Sequence, residues 1–194
     1  KGRIKVTSGN LPHYLGKPKY DSIKANERNE VGIVRGLAWT SVGGETLQIE
    51  VNRMPGKGEI DLTGQMGDVM RESAMIAMSY VRSVSPRYEV AEDMFKENDF
   101  HLHIPEGAVP KDGPSAGITM AAAILSLVTD TPVDAKVAMT GEITLRGRVL
   151  PIGGLKEKIL AAKTAGMETV LVPKKNEKDI EEIAGEIRKG LHIY

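Results

Sequence analysis

The run Pro110-Lys111-Asp112-Gly113-Pro114-Ser115-Ala116-Gly117, continuing as Ile118-Thr119-Met120-Ala121-Ala122-Ala123-Ile124-Leu125-Ser126-Leu127-Val128, sets a turn against an apolar helix. Gly113 can take backbone angles closed to other residues, and Pro114 suits the first helical position, where its missing N–H costs nothing. Ser115 then falls in the first turn. From Ile118 to Val128 only Thr119 and Ser126 are polar, so the helix keeps little solvent face and is predicted to run through the core. A hydroxyl is thereby held at the positive end of a buried helix, where unpaired N–H groups can stabilise a developing oxyanion. Small polar residues at helix starts are mostly caps or turn formers. A nucleophile at Ser115 therefore needs a partner elsewhere in the chain.

Upstream of this run, Phe100 to Ile104 alternates as a strand that delivers the chain through Pro105 to the helix. Asp68 to Val84 is predicted to be an amphipathic helix, with Met70, Ala74, Ala77, Met78 and Val81 at helical spacing and Met75 and Ile76 extending the covered area. Val31 to Thr40 reads as a strand, Gly43-Gly44 as a hairpin turn, and Leu47, Ile49 and Val51, then Ile60 and Leu62, as further strands of an antiparallel meander. Residues 1–28 are polar and broken by Gly9, Pro12, Gly16 and Pro18, the pattern of a linker. Downstream, Lys136 to Thr140 reads as a buried strand and Ile143 to Ile152 as a hairpin around Gly147. Gly153-Gly154 opens a helix through Ala165, closed by Gly166, then come a strand at Thr169 to Pro173, a helix over Glu177 to Arg188 and a last strand at Leu191 to Ile193. Strands and helices mix without a strict βαβ rhythm. That predicts a single compact α+β domain with antiparallel or mixed sheets and packed helices.

The 194 residues suffice for a substantial core. With one tryptophan, five tyrosines and two phenylalanines, that core must be mainly aliphatic. Lysine plus arginine equals aspartate plus glutamate at 26 each, which disfavours a nucleic-acid partner, since that class normally shows a basic excess. No cysteine is present, so thiol nucleophiles, disulfides and thiolate metal sites are excluded. No apolar run is long enough to span a bilayer, and a soluble, cytoplasmic protein is expected. The chain begins with Lys, as a piece of a longer protein would.

A serine hydroxyl becomes a useful nucleophile when a base takes its proton. Of four histidines, His13 and His192 lie near the two ends, while His101 and His103 share one face of the strand before the Ser115 loop. They could serve a Ser-His arrangement through His103, or a metal site with Glu106 or Asp112. No third ligand stands at a diagnostic spacing, so no metal is assigned. The alternative base is a lysine kept neutral by burial. In the helix from Leu155 to Lys163, Leu155, Ile159 and Ala162 mark the buried stripe. At about 100° per residue, Lys158 and Lys163 flank its two edges, and periodicity leaves both open.

Pro-Lys-Asp-Gly-Pro-Ser-Ala-Gly at 110–117, Thr-Gly-Glu-Ile-Thr-Leu-Arg-Gly at 140–147 and Pro-Ile-Gly-Gly-Leu-Lys-Glu-Lys at 151–158 resemble signature blocks of the Lon ATP-dependent proteases. His-Ile-Pro-Glu-Gly-Ala at 103–108 fits the same pattern, and residues 10–18 resemble the junction after that family's ATPase module. The resemblance implies a Lon-protease fold of the ribosomal S5 domain 2-like type, with 1–28 a linker and 29–194 the proteolytic domain. It implies a serine endopeptidase with Ser115 as nucleophile and Lys158 as general base, which separates Lys158 from Lys163. Thr140 matches a threonine that helps orient that lysine. Asp112, His101 and His103 match positions that shape and support the site, and backbone N–H groups of Gly113, Ser115 and Ala116 would hold the oxyanion. It further implies unfolded, damaged or short-lived regulatory proteins as substrates, a hexameric ring, and an upstream AAA+ module that binds ATP and Mg. This chain has no P-loop, so no cofactor is expected in it. The resemblance also implies a final helix that this sequence stops short of.

Overall fold

The computed structural model describes residues 3–16, 28–40, 43–105 and 110–194. Most of the 17–28 stretch of the predicted linker, the residues joining the first two strands at 41–42, and Glu106 with its neighbours to 109 lie outside the described residues.

A seven-stranded mixed sheet organises the chain, in the order β3-β4-β2-β1-β5-β8-β9. These strands are β1 (Ile33–Thr40), β2 (Gly43–Pro55), β3 (Ile60–Thr63), β4 (Asn98–His103), β5 (Val137–Met139), β8 (Thr169–Leu171) and β9 (His192–Ile193), and a separate small hairpin pairs β6 (Glu142–Ile143) with β7 (Val149–Leu150). The helices are α1 (Leu11–Leu15), α2 (Asp68–Val84), α3 (Gly117–Val128), α4 (Leu155–Thr164), α5 (Glu177–Glu182) and α6 (Gly185–Arg188). α1 lies in the predicted linker and buries no residue.

The sheet separates two apolar clusters. On one face, α2 and α3 pack Met70, Ala74, Met78, Met120 and Ile124 against Val34, Ile49, Phe100 and Leu102. On the other, α4 packs Leu155, Ile159 and Ala162 against Leu37, Ala138 and Val170. The alternation of side chains along β1 makes this possible, since Val34 and Leu37 belong to opposite clusters. α3 is buried along most of its length, as its composition predicts, and its polar residues are satisfied locally. Thr119 Oγ1 donates to the Met139 carbonyl at 3.2 Å, and Ser126 Oγ donates to the Thr131 carbonyl at 2.6 Å.

Three expectations are corrected. The first half of the sheet is not an antiparallel meander, because β4 lies between β2 and β3, antiparallel to the first and parallel to the second. Alternation along β3 identifies its buried face but not its neighbour; Ile60 and Leu62 align with Phe100 and Leu102. The Gly43-Gly44 pair is not the turn either, since Gly43 already pairs with Thr40 and Gly44 with Trp39. Finally, 177–188 is two short helices, with Ile183 extended between them and buried. Glu181 and Glu182 at a helix C-terminus oppose its dipole, and Gly185 is a poor helix former. On α2, Met75 stands exposed, while Ile76 packs against the core.

Gly44 has a steric duty that its sequence neighbours conceal. A Cβ there would overlap the Glu157 carbonyl, so α4 rides directly on the β2 backbone. Gly44→Ala is expected to destabilise the fold by about 1–3 kcal/mol, as overpacking does. Urea denaturation of the variant measures this.

Candidate active site

The sheet's two helical layers meet at one place, beyond the carboxyl end of β5. β5 and β8 end together there, Met139 level with Leu171, while β1, parallel to β5, runs on past them to Thr40; the carboxyl ends of parallel strands are the usual location of a site in a sheet of this kind. Ser115 arrives from the α3 side, within a 3-10 turn (Pro114–Ala116) that leads into α3. Lys158 arrives from the α4 side, one turn into the helix. Thr140, the residue after β5, stands between them, and its N–H donates to the carbonyl of Leu171 at the end of β8.

Lys158 Nζ lies 3.0 Å from Ser115 Oγ and 3.1 Å from Thr140 Oγ1. Thr140 Oγ1 donates to the Ser115 carbonyl at 3.2 Å, which turns its lone pairs toward the amine. The amine is thus held with a defined orientation. Lys158 is only 2% exposed and has no carboxylate partner among the described residues. Burial disfavours its charged form and lowers its pKa from 10.5 to about 8. This combination of contact, burial and lowered basicity equips the pair for proton transfer from the hydroxyl to the amine. Lys163 is elsewhere, donating to the Glu186 carbonyl at 2.5 Å.

Because the Ser115 carbonyl also accepts the Gly141 N–H at 2.8 Å, removing the Thr140 hydroxyl leaves it bonded. Thr140→Val is therefore expected to lower turnover by about tenfold to a hundredfold while shifting stability little, since a misplaced reacting group costs rate steeply. Thr140→Ser should recover most of the loss. Steady-state kinetics beside thermal melts of both variants measure this.

Asp112 acts on the backbone. Its Oδ1 accepts the N–H of Met70 at 2.9 Å, capping the start of α2 from another part of the chain, and the N–H of Gly113 at 2.8 Å. Gly113, at φ 115°, has a conformation that favours glycine. Of the three amides the sequence places at an oxyanion pocket, that of Gly113 is already engaged, while those of Ser115 and Ala116 belong to the 3-10 turn. His101 and His103 do not join this group. Both lie within hydrogen-bonding distance of Thr63 Oγ1, at 2.8 and 2.7 Å. They line a separate groove of about 610 Å³ with Glu50 and Asn52, on the strand face opposite Phe100 and Leu102. Among the described residues, no three His, Asp or Glu side chains are placed to hold a metal.

The cleft in front of Ser115 has a volume of about 300 Å³ and an apolar wall that includes Leu37, Trp39, Met70 and Ile152. Two polar residues that the sequence did not single out shape it. Glu142 lines it directly. Asn176, 2% exposed, clamps both backbone groups of Ile152, accepting its N–H at 3.0 Å and donating to its carbonyl at 2.9 Å. Periodicity carries no sign of either, because it does not say which residues distant in sequence meet at the cleft.

Residues 5–194 match the Lon protease (S16) C-terminal proteolytic domain. The chain is 64% identical to the Lon protease of Lachnoclostridium phytofermentans over 191 residues, 98% of this chain and 24% of that protein. It is 57% identical to Lon protease 1 of Bacillus subtilis over 189 residues, 97% of this chain and 24% of that protein. With the Lon protease of Brevibacillus choshinensis it shares 55% identity over 194 residues, 100% of this chain and 25% of that protein. The chain spans about a quarter of the length of these relatives. On this match along nearly its whole length, the chain belongs to the Lon protease (S16) C-terminal proteolytic domain family, a family of serine peptidases.

Proposed function

We propose that this chain cleaves peptide bonds with Ser115 as nucleophile and Lys158 as general base. The observation that carries the reading is a buried amine, uncoupled from any carboxylate among the described residues, 3.0 Å from the Ser115 hydroxyl. Neutral Lys158 takes the Ser115 proton as Oγ bonds to the substrate carbonyl carbon. N–H groups of Ser115 and Ala116 stabilise the oxyanion, and that of Gly113 joins them when Asp112 releases it. Protonated Lys158 then gives its proton to the leaving amine as the C–N bond breaks. Water, losing a proton to the same amine, attacks the acyl ester and returns Ser115. Thr140 keeps the lysine aimed throughout. His101 and His103 lie outside this cycle and brace β3 against β4 through Thr63.

In the longer protein that the relatives' lengths point to, this domain serves an ATP-dependent protease of the cytoplasm. An AAA+ module upstream binds ATP and Mg, and six copies assemble into a ring. The substrates are unfolded, damaged and short-lived regulatory proteins, fed as extended chains into a cleft too narrow for folded ones. Neither a nucleic acid nor a membrane has a part in this reading. The charge balance supports the first part; among the described residues no helix is long and apolar enough to cross a membrane.

A fluorophosphonate probe tests the dyad. Labelling of Ser115 is expected to accelerate as pH rises through about 8, to vanish in Lys158→Ala and to persist in Lys163→Ala. Undiminished labelling in Lys158→Ala would assign the proton to another base.

A further inference from the structure

The sheet has an open edge at β3, the first strand of its order. Glu59 and Thr63 give their carbonyls to the N–H groups of Phe100 and Ile104. In such a ladder the N–H and carbonyl of the alternate residues, Ile60 and Leu62, point away from β4 and out of the sheet. Arg71 covers the Leu62 carbonyl at 3.3 Å, and among the described residues no strand pairs with the remaining groups. An edge of this kind is a template for another chain. α2 runs beside it. Arg71, Met75, Met78, Ser79 and Arg82 lie within about 100° of one another on that helix, and between helix and edge opens a cavity of about 110 Å³. Ile60, Met75, Met78, Phe95 and Phe100 give it an apolar lining with room for one aliphatic side chain. Arg82 stands over the Phe95 ring, 5.7 Å from its centroid. Arg71 and Arg82 are both exposed, and among the described residues neither has a carboxylate at ion-pair distance. Glu59 is the one acidic side chain in the described lining.

These features are complementary to one kind of partner. Open N–H and carbonyl groups pair with an extended chain, the cavity takes one apolar side chain, and the two guanidinium groups take carboxylates. Side chains two positions apart share a face of a strand. The matching segment therefore carries an aliphatic residue with acidic residues two positions before and after it. We propose that the groove between β3 and α2 binds such a segment of a protein substrate as an added strand. The groove shares no lining residue with the Ser115 cleft, so the segment is a tether, held while another part of the same chain is cut. From the reading above this takes only that protein chains are the substrates. Binding in the groove does not need the Ser115-Lys158 pair.

A fluorescent peptide with the core Glu-Thr-Leu-Thr-Glu tests this by anisotropy on the full-length protein carrying Ser115→Ala. Met75→Asp and Arg82→Glu are each expected to weaken binding by about tenfold, since each sets a negative charge where the peptide brings another. A peptide with lysine in place of both glutamates should bind poorly, and regain affinity when Arg71→Glu and Arg82→Glu are combined. In an added strand only alternate N–H groups face the edge. N-methylation of the leucine amide and of the two threonine amides should therefore have contrasting effects, one set losing about tenfold and the other little. Fused to an unfolded protein, the segment should lower KM by about tenfold and leave kcat unchanged, an effect absent in Arg82→Glu. Both Met75→Asp and Arg82→Glu should cleave the unfused protein as the parent does, with circular dichroism as the control for folding. Peptide binding indifferent to these substitutions, or methylation without the alternating pattern, would overturn the proposal. So would a peptide that fails to bind while the same substitutions change the oligomeric state, a result that would assign the groove to a second copy of this chain. Failure of the Ser115-Lys158 reading would appear in cleavage alone and leave these affinities as they are.

Discussion

Lys158→Arg is expected to lower peptide turnover by about 10²–10⁴-fold, the usual contribution of a general base. The substitution keeps a long cationic side chain and removes only the ability to be neutral, because a guanidinium stays protonated throughout the working range. In the parent protein, kcat/KM should rise with pH through about 8 as the free amine appears, and Lys158→Arg should lack that rise. Stability should rise with pH as well. The unfolded chain holds the lysine proton up to about its ordinary value of 10.5, whereas the folded chain releases it near 8. The unfolded state therefore binds more protons between those values, and unfolding free energy increases with pH across that window. Below pH 8 the fold carries a buried charge at a cost of about 3 kcal/mol. Lys158→Met removes this cost and gives up two hydrogen bonds, so it should be more stable than the parent by about 1–2 kcal/mol at pH 7. The gain should fade toward pH 10.5. Urea titrations at pH 7 and pH 10 measure it, and a Lys158→Met protein less stable than the parent at pH 7 would contradict the assigned burial cost.

Ser115→Ala should have the largest kinetic effect, a loss of about 10⁵–10⁶-fold, since a missing nucleophile leaves only binding and oxyanion stabilisation. Its fold should persist. The Ser115 backbone still bonds Gly141 and Thr140 through its carbonyl, and among the described residues the hydroxyl's hydrogen bond is that with Lys158. Single-turnover assays on an unfolded protein, with circular dichroism as the control for folding, decide it. Residual cleavage within tenfold of the parent would place the nucleophile elsewhere.

Some of this architecture is plain in the sequence and some is not. The continuous apolar character of Ile118 to Val128 allows α3 no position outside the core, and the Gly-Pro pair before it sets the hydroxyl at its start. Pairing partners are harder to read. Ile60 and Leu62 alternate as a strand would beside any neighbour, and only the folded chain reveals that β4 occupies the place between β2 and β3. Lys158 and Lys163 are equivalent on a helical projection, since both flank the buried stripe. What distinguishes them is that the first lies under the end of β5 while the second reaches the Glu186 carbonyl. Asp112 belongs visibly to a loop, yet its hold on the Met70 amide spans 42 positions of chain. His101 and His103 share a strand face, as alternation requires, but nothing in that alternation says that the face turns away from Ser115.

Placing hydroxyl and amine on helices that approach from opposite sides has a consequence for the life of the molecule before it is complete. On the ribosome, a chain made only as far as residue 150 would carry its hydroxyl with nothing to remove the proton. The same holds whenever the last third loosens from the sheet. On the proposed Ser115-Lys158 reading, a copy that is half-made or half-melted is thus harmless to its neighbours.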